Sequence, residues 1–148
     1  MAEEKAETEP QRALGLEADW FLQYLIGHVN KDPDLNIPLT LLVGGSCVTG
    51  RAISGPEYFK LLGNTILGKD GEGASLFQPL IDQMYPPDFA DRDIDSIGYI
   101  HLKDARVFQG SVQIPANFRG NLWRGKLTAV DGLIFGELGV GALPPTQT

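Results

Sequence analysis

The chain is poor in the groups that most chemistry requires. It holds one cysteine, Cys47, and two histidines, His28 and His101. A single thiol excludes an intrachain disulfide and fits a reducing compartment. Zinc sites need several Cys or His at set spacings, and no pair here has one. Bases are also few, with twelve Lys and Arg against nineteen Asp and Glu, a net charge of -7 and a pI near 4.7. That balance argues against a nucleic-acid partner, where clustered Lys and Arg must neutralise phosphates. It argues equally against an anionic membrane surface. No apolar run approaches the roughly 18 residues that a membrane-spanning helix needs. The opening Met1-Ala2-Glu3-Glu4-Lys5 lacks the basic-then-apolar order of a signal peptide, so the chain is expected in the cytoplasm.

What is present suits one folded unit. At 148 residues and 43% hydrophobic content, the chain is long enough and apolar enough to bury a core. Its acidity is uneven: residues 1–19 hold six acids against two bases, so -4 of the -7 sits there. Residues 1–15 are expected to form a disordered acidic arm, 16–139 a single α+β domain, and 140–148 a flexible Gly-, Pro- and Thr-rich tail.

Within the domain, Trp20, Tyr24 and His28, with Phe21, Leu25 and Val29 one step on, predict an amphipathic helix over 16–30. Gly44-Gly45 predicts a two-residue hairpin turn between strands at 36–43 and 46–53. That register puts Leu39, Leu41, Val43, Val48, Gly50 and Ala52 on the core face. Ser54-Gly55-Pro56-Glu57 reads as a capping box opening a second helix, with Phe59, Leu62 and Ile66 on its buried side and Gly68 as its stop. A third helix is expected over 75–84, with Pro79 in its first turn. Strands at 97–108 and 111–114 follow. Asp131-Gly132, between runs 122–130 and 133–139, predicts a type I′ hairpin. In that hairpin Trp123, Leu127, Ala129, Ile134 and Leu138 share one face, and Arg124, Lys126, Thr128 and Glu137 the other. Lys126 is then opposite Glu137, and Phe135 is the apolar exception. The sum is a small curled antiparallel sheet or open barrel of about five strands, packed with two or three helices.

Each candidate for catalysis or ligand binding has a plainer reading. Gly63 to Asp70 approaches the phosphate-loop pattern, but Asp70 stands where Ser or Thr should ligate Mg²⁺, and the segment has the rhythm of a helix that is ending. Asp91, Asp93 and Asp95 alternate as in a calcium loop, but Ser96 and Leu102 occupy the places of its Gly and Glu. Cys47 has no base or orienting group beside it in sequence. Arg119, Arg124 and Lys126 with Phe118 and Trp123 form a basic-aromatic stretch, but alternation puts Trp123 on the face away from Arg124 and Lys126. These readings leave no catalytic, cofactor-binding or metal-binding residue and imply no cofactor.

Three stretches stand out: Gly50-Arg51-Ala52-Ile53-Ser54-Gly55-Pro56-Glu57-Tyr58-Phe59, then Ile100-His101-Leu102-Lys103-Asp104, then Trp123-Arg124-Gly125-Lys126-Leu127 leading into Val130-Asp131-Gly132. Together they resemble the gas vesicle accessory protein U family. The resemblance covers about residues 36–139. It implies a non-enzymatic cytoplasmic protein, associated with gas vesicles, that helps to assemble, stabilise or cluster them. The implied partners are the vesicle shell or other gas vesicle proteins. Arg124, Lys126 and Phe135 are the expected partner-binding residues, and uncapped strand edges offer a route to self-association. The alternative is a small barrel of the Sm-like or SH3-like kind contacting RNA or another protein, which fold analogy alone supports.

Overall fold

Asp19 sets the first helix. Its Oδ1 accepts from the N–H groups of Phe21 at 2.9 Å and Leu22 at 3.4 Å, so α1 runs over Trp20–Lys31 and starts later than the apolar rhythm suggests. In the computed structural model, which describes residues 17–68, 73–114 and 121–138, this helix turns Leu22, Ile26 and Val29 inward. The aromatic row predicted to be buried lies outside, with Trp20 and Tyr24 each 49% exposed. His28 is exposed too and meets the Tyr24 ring edge-on. The correction has a physical reason: aliphatic side chains interdigitate with the Leu and Val of the sheet, while Trp, Tyr and His each keep a polar atom in water. The acidic arm over 1–15 and the tail over 140–148 lie outside the described residues.

Strands β1 (Ile37–Val43) and β2 (Ser46–Ile53) pair as predicted, Leu41 opposite Val48 and Leu39 opposite Gly50. Gly44 and Gly45 have φ of 55° and 84°, the positive values that a type I′ turn requires. Gly50 lies at a register shift between β2 and β3 (Tyr99–Gln109), where a Cβ would stand 2.9 Å from the Lys103 carbonyl oxygen. Asp104 across from it takes φ 51°. This bulge is where the sheet bends.

The sheet is antiparallel and has six strands among the described residues. Strands β4 (Val112–Ile114) and β5 (Asn121–Lys126) lie end to end along the outer edge of β3, followed inward by β3, β2 and β1, with β6 (Gly132–Phe135) beyond β1. It does not close, so the small-barrel alternative is not the architecture formed. One face carries the core, where α1 packs on Leu39, Leu41, Val48, Ala52, Ile100 and Leu102. On the other face Thr40 and Thr49 are buried, and their hydroxyls lie 3.1 Å apart. Thr40 donates to the Gly136 carbonyl at 2.8 Å, and the Leu138 N–H donates to Thr49 Oγ1 at 2.8 Å. The chain after β6 is thereby clasped across the sheet.

The expected C-terminal hairpin does not form. β5 pairs with β3 and β6 with β1, so the two runs stand at opposite edges of the sheet, joined through a 3₁₀ turn at Leu127–Ala129. Gly132 lacks the positive φ of a type I′ turn. Asp131 instead docks on the β1–β2 turn, its N–H donating to the Leu42 carbonyl at 2.7 Å and its carboxylate accepting from Gly44 N–H at 3.0 Å. Glu137 pairs with Arg51 at 3.6 Å and not with Lys126. Long-range strand pairing has overridden a local turn preference.

Ser54 caps α2 (Gly55–Leu67), its Oγ accepting from Glu57 N–H at 3.3 Å, and Gly68 closes the helix at φ 66°. Tyr58 and Gly63 are buried there, whereas Ile66, predicted inside, is 58% exposed. In α3 (Gly73–Met84) Pro79 stands seventh and not in the first turn. It lies exposed on the helix surface. Ile81 is the buried side chain among those described in this helix, while Leu76, Leu80 and Met84 are exposed.

Candidate functional site

The three stretches singled out in the sequence meet in space. The Ser54 cap starts α2 where β2 ends, which lays Tyr58 and Phe59 over His101 of β3, with ring centroids at 4.7 and 6.0 Å. Register across β3 and β5 sets His101 opposite Arg124. Arg124 Nε donates to His101 Nε2 at 3.2 Å, and its guanidinium lies 3.7 Å from the centre of the Tyr99 ring. Burial, with the Arg124 charge beside it, pushes the His101 pKa down to about 3. The imidazole is therefore neutral near pH 7 and presents its Nε2 lone pair to Arg124.

The Trp-Arg-Gly-Lys run has a reason in this geometry. Trp123 and Gly125 share the core face of β5, and the indole folds over Gly125 so closely that any Cβ there would strike the ring. Arg124 and Lys126 point to the opposite face. Gly55 plays the matching part on α2, where a Cβ would strike the Tyr85 side chain.

Beside this cluster lies an open cavity of about 180 Å³, lined in part by α1, the start of α2 and the end of α3. Tyr85, Arg92, Tyr99, His101 and Arg124 contribute to its wall. Burial raises the Tyr85 pKa above its ordinary value, against the opposing pull of the Arg124 and Arg92 charges, so the hydroxyl stays protonated.

The predicted contact residues are not gathered in one place. Arg124 belongs to the cluster, and Lys126 is exposed two positions along the same strand, opposite Tyr99. Phe135 is at the far edge of the sheet on its α1 face, 58% exposed, its ring centroid 6.0 Å from that of Phe21. Cys47 and His101 pair at positions six residues apart along β2, roughly 20 Å at about 3.3 Å per residue, so they form no dyad. Gly63 to Leu67 are the closing turns of α2, and residues 69–70 of that motif lie outside the described residues. Asp91 and Asp95 belong to two 3₁₀ turns. Among the described residues no three or more His, Cys, Asp or Glu come together as metal ligands, and no helix is long and apolar enough to cross a membrane.

Sequence reasoning missed Tyr85, Arg92 and Tyr99. Tyr85 reads as the residue before a Pro-Pro stop, and Arg92 as a solvated base in an acidic link. The signal that was there is Arg92 itself, the one base among Asp88, Asp91, Asp93 and Asp95.

Comparison with known proteins finds no match among curated proteins and none among solved structures. The chain does match the family model described as gas vesicle protein GvpU-like, over residues 19–138. That span takes in every described helix and strand, and the chain belongs to the GvpU-like gas vesicle protein family.

Proposed function

We propose that this protein is a non-enzymatic accessory factor that binds the gas vesicle shell or other gas vesicle proteins in the cytoplasm, in the service of their assembly, stabilisation or clustering. Membership of the gas vesicle family carries the reading. The surface supports it. Trp20, Tyr24 and Phe135 expose aromatic area on the α1 side, and Ile66, Leu76, Leu80 and Met84 expose apolar area on the two packed helices α2 and α3. Exposed apolar patches of this kind are what protein partners cover. Phe135 on one side of the sheet and Arg124 with Lys126 on the other give two separate contact regions, so a weak binder gains avidity on a shell of repeated subunits.

Flotation tests the reading. Purified protein is mixed with isolated gas vesicles, the vesicles are floated, and both layers are assayed. The protein is expected to rise with the vesicles while bovine albumin at equal concentration does not. Protein found wholly in the lower layer overturns shell binding.

A further inference from the structure

The cavity at the end of the sheet has a wall with charge of one sign. Arg92 comes from the link after α3 and Arg124 from β5, and no Asp or Glu lines the cavity among the described residues. In a chain with more acids than bases, two guanidinium groups thus share one concave place. On Arg124 the Nε–H is taken by His101 and one flat face by Tyr99, so a ligand would be met by the Nη groups. Tyr85 adds a protonated hydroxyl, and the start of α2 at Gly55 adds the positive end of a helix. Ile26, Met84 and Phe89 add hydrocarbon to the wall, and Asn30 and Ser96 add polar side chains.

We propose that this cavity is a binding pocket for a carboxylate carried on a short hydrocarbon body. The planar fork of arginine matches a carboxylate bidentately, and two such forks with a hydroxyl donor satisfy both of its oxygens. The apolar part of the wall, Ile26, Met84 and Phe89, suits the attached carbons. At about 180 Å³ the space is smaller than the ~300–1,000 Å³ of sites that enclose drug-sized ligands. A small acid fills it, or the tip of a longer chain enters. The carboxylate therefore has two sources, a free short-chain acid or the carboxyl terminus of a peptide. Arg124 serves both this pocket and the proposed vesicle contact, but carboxylate binding and flotation are read separately, so either can fail without the other.

The test uses the full chain labelled with ¹⁵N and followed by NMR. The probes are sodium butyrate, a short acetylated peptide ending in leucine with a free carboxylate, the same peptide as its C-terminal amide, and sodium chloride at equal ionic strength. Saturable shifts of the Ser96 to Tyr99 amides and of the arginine side chains are expected with butyrate or the free-acid peptide, and not with the amide or chloride. Arg92→Gln and Arg124→Gln are each expected to weaken that binding at least tenfold. Arg92 lies in the exposed link, so its variant keeps the test valid should Arg124→Gln fail to fold. Tighter binding of the peptide than of butyrate assigns the carboxylate to a polypeptide, and equal binding assigns it to a free acid. No saturable shift with either probe, equal shifts with the amide or chloride, or binding that neither substitution weakens overturns the proposal.

Discussion

Arg124 and His101 face one another across the β5–β3 pair, and the guanidinium donates to the imidazole, Nε to Nε2, at 3.2 Å. The His101 proton affinity is the first consequence. Its pKa falls from 6.5 to about 3 because burial and the neighbouring charge both penalise the imidazolium. Between those two values the unfolded chain binds a proton that the folded chain does not. The His101 contribution is therefore fully present above about pH 6.5 and declines as the pH falls towards 3. Urea midpoints at pH 7 and pH 4.5 are expected to drop further for the native chain than for His101→Asn. The difference is on the order of 2 kcal/mol. Equal drops would mean that the imidazole is protonated in the folded state.

Gly125→Ala is expected to destabilise the fold by about 1–3 kcal/mol, because the new methyl meets the Trp123 ring. Trp123→Leu removes that ring. The cost of Gly125→Ala in the Trp123→Leu background should be well under half its cost alone, as read from a double-mutant cycle of chemical denaturation.

Thr49→Val removes the hydroxyl that accepts the Leu138 N–H and neighbours Thr40. A loss of about 1 kcal/mol is expected, because the part-buried Leu138 N–H loses its acceptor. Hydrogen exchange at the Leu138 amide should accelerate more than exchange in β1.

Phe135→Ser should leave the urea midpoint within about 0.5 kcal/mol, since the side chain is 58% exposed. In the flotation assay it should shift protein from the vesicle layer to the lower layer. Undiminished flotation removes Phe135 from the contact surface.

Legibility in the sequence followed the range of the interaction. The Gly44-Gly45 turn, the Ser54 cap and the Gly68 stop depend on a few adjacent residues, and the structure has all three. The Asp131-Gly132 turn carries an equally strong local signal. It fails because β3 and β1 each offer a long partner edge that no local rule can see. The aromatic row of α1 shows the same limit, since a 3.6-residue period reveals a stripe but not which of two stripes meets the sheet. The cluster around Arg124 was half legible. His101 and Arg124 stand in the recognisable stretches, whereas Tyr85 and Arg92 reach the cavity only through the turns after α3.

The clasp formed by Thr40 and Thr49 also bears on how the molecule behaves when crowded. Gly136, at φ 97°, swings the chain off the line of β6 and the two hydroxyls hold it across the sheet. The outermost described strand on that side is thus cut to Gly132–Phe135, roughly 13 Å of backbone at about 3.3 Å per residue. So short a strip is a poor template for another chain to zip onto. Copies brought together on a shared surface would then find, on that side, no long run of backbone along which a ladder of hydrogen bonds could set into fibres.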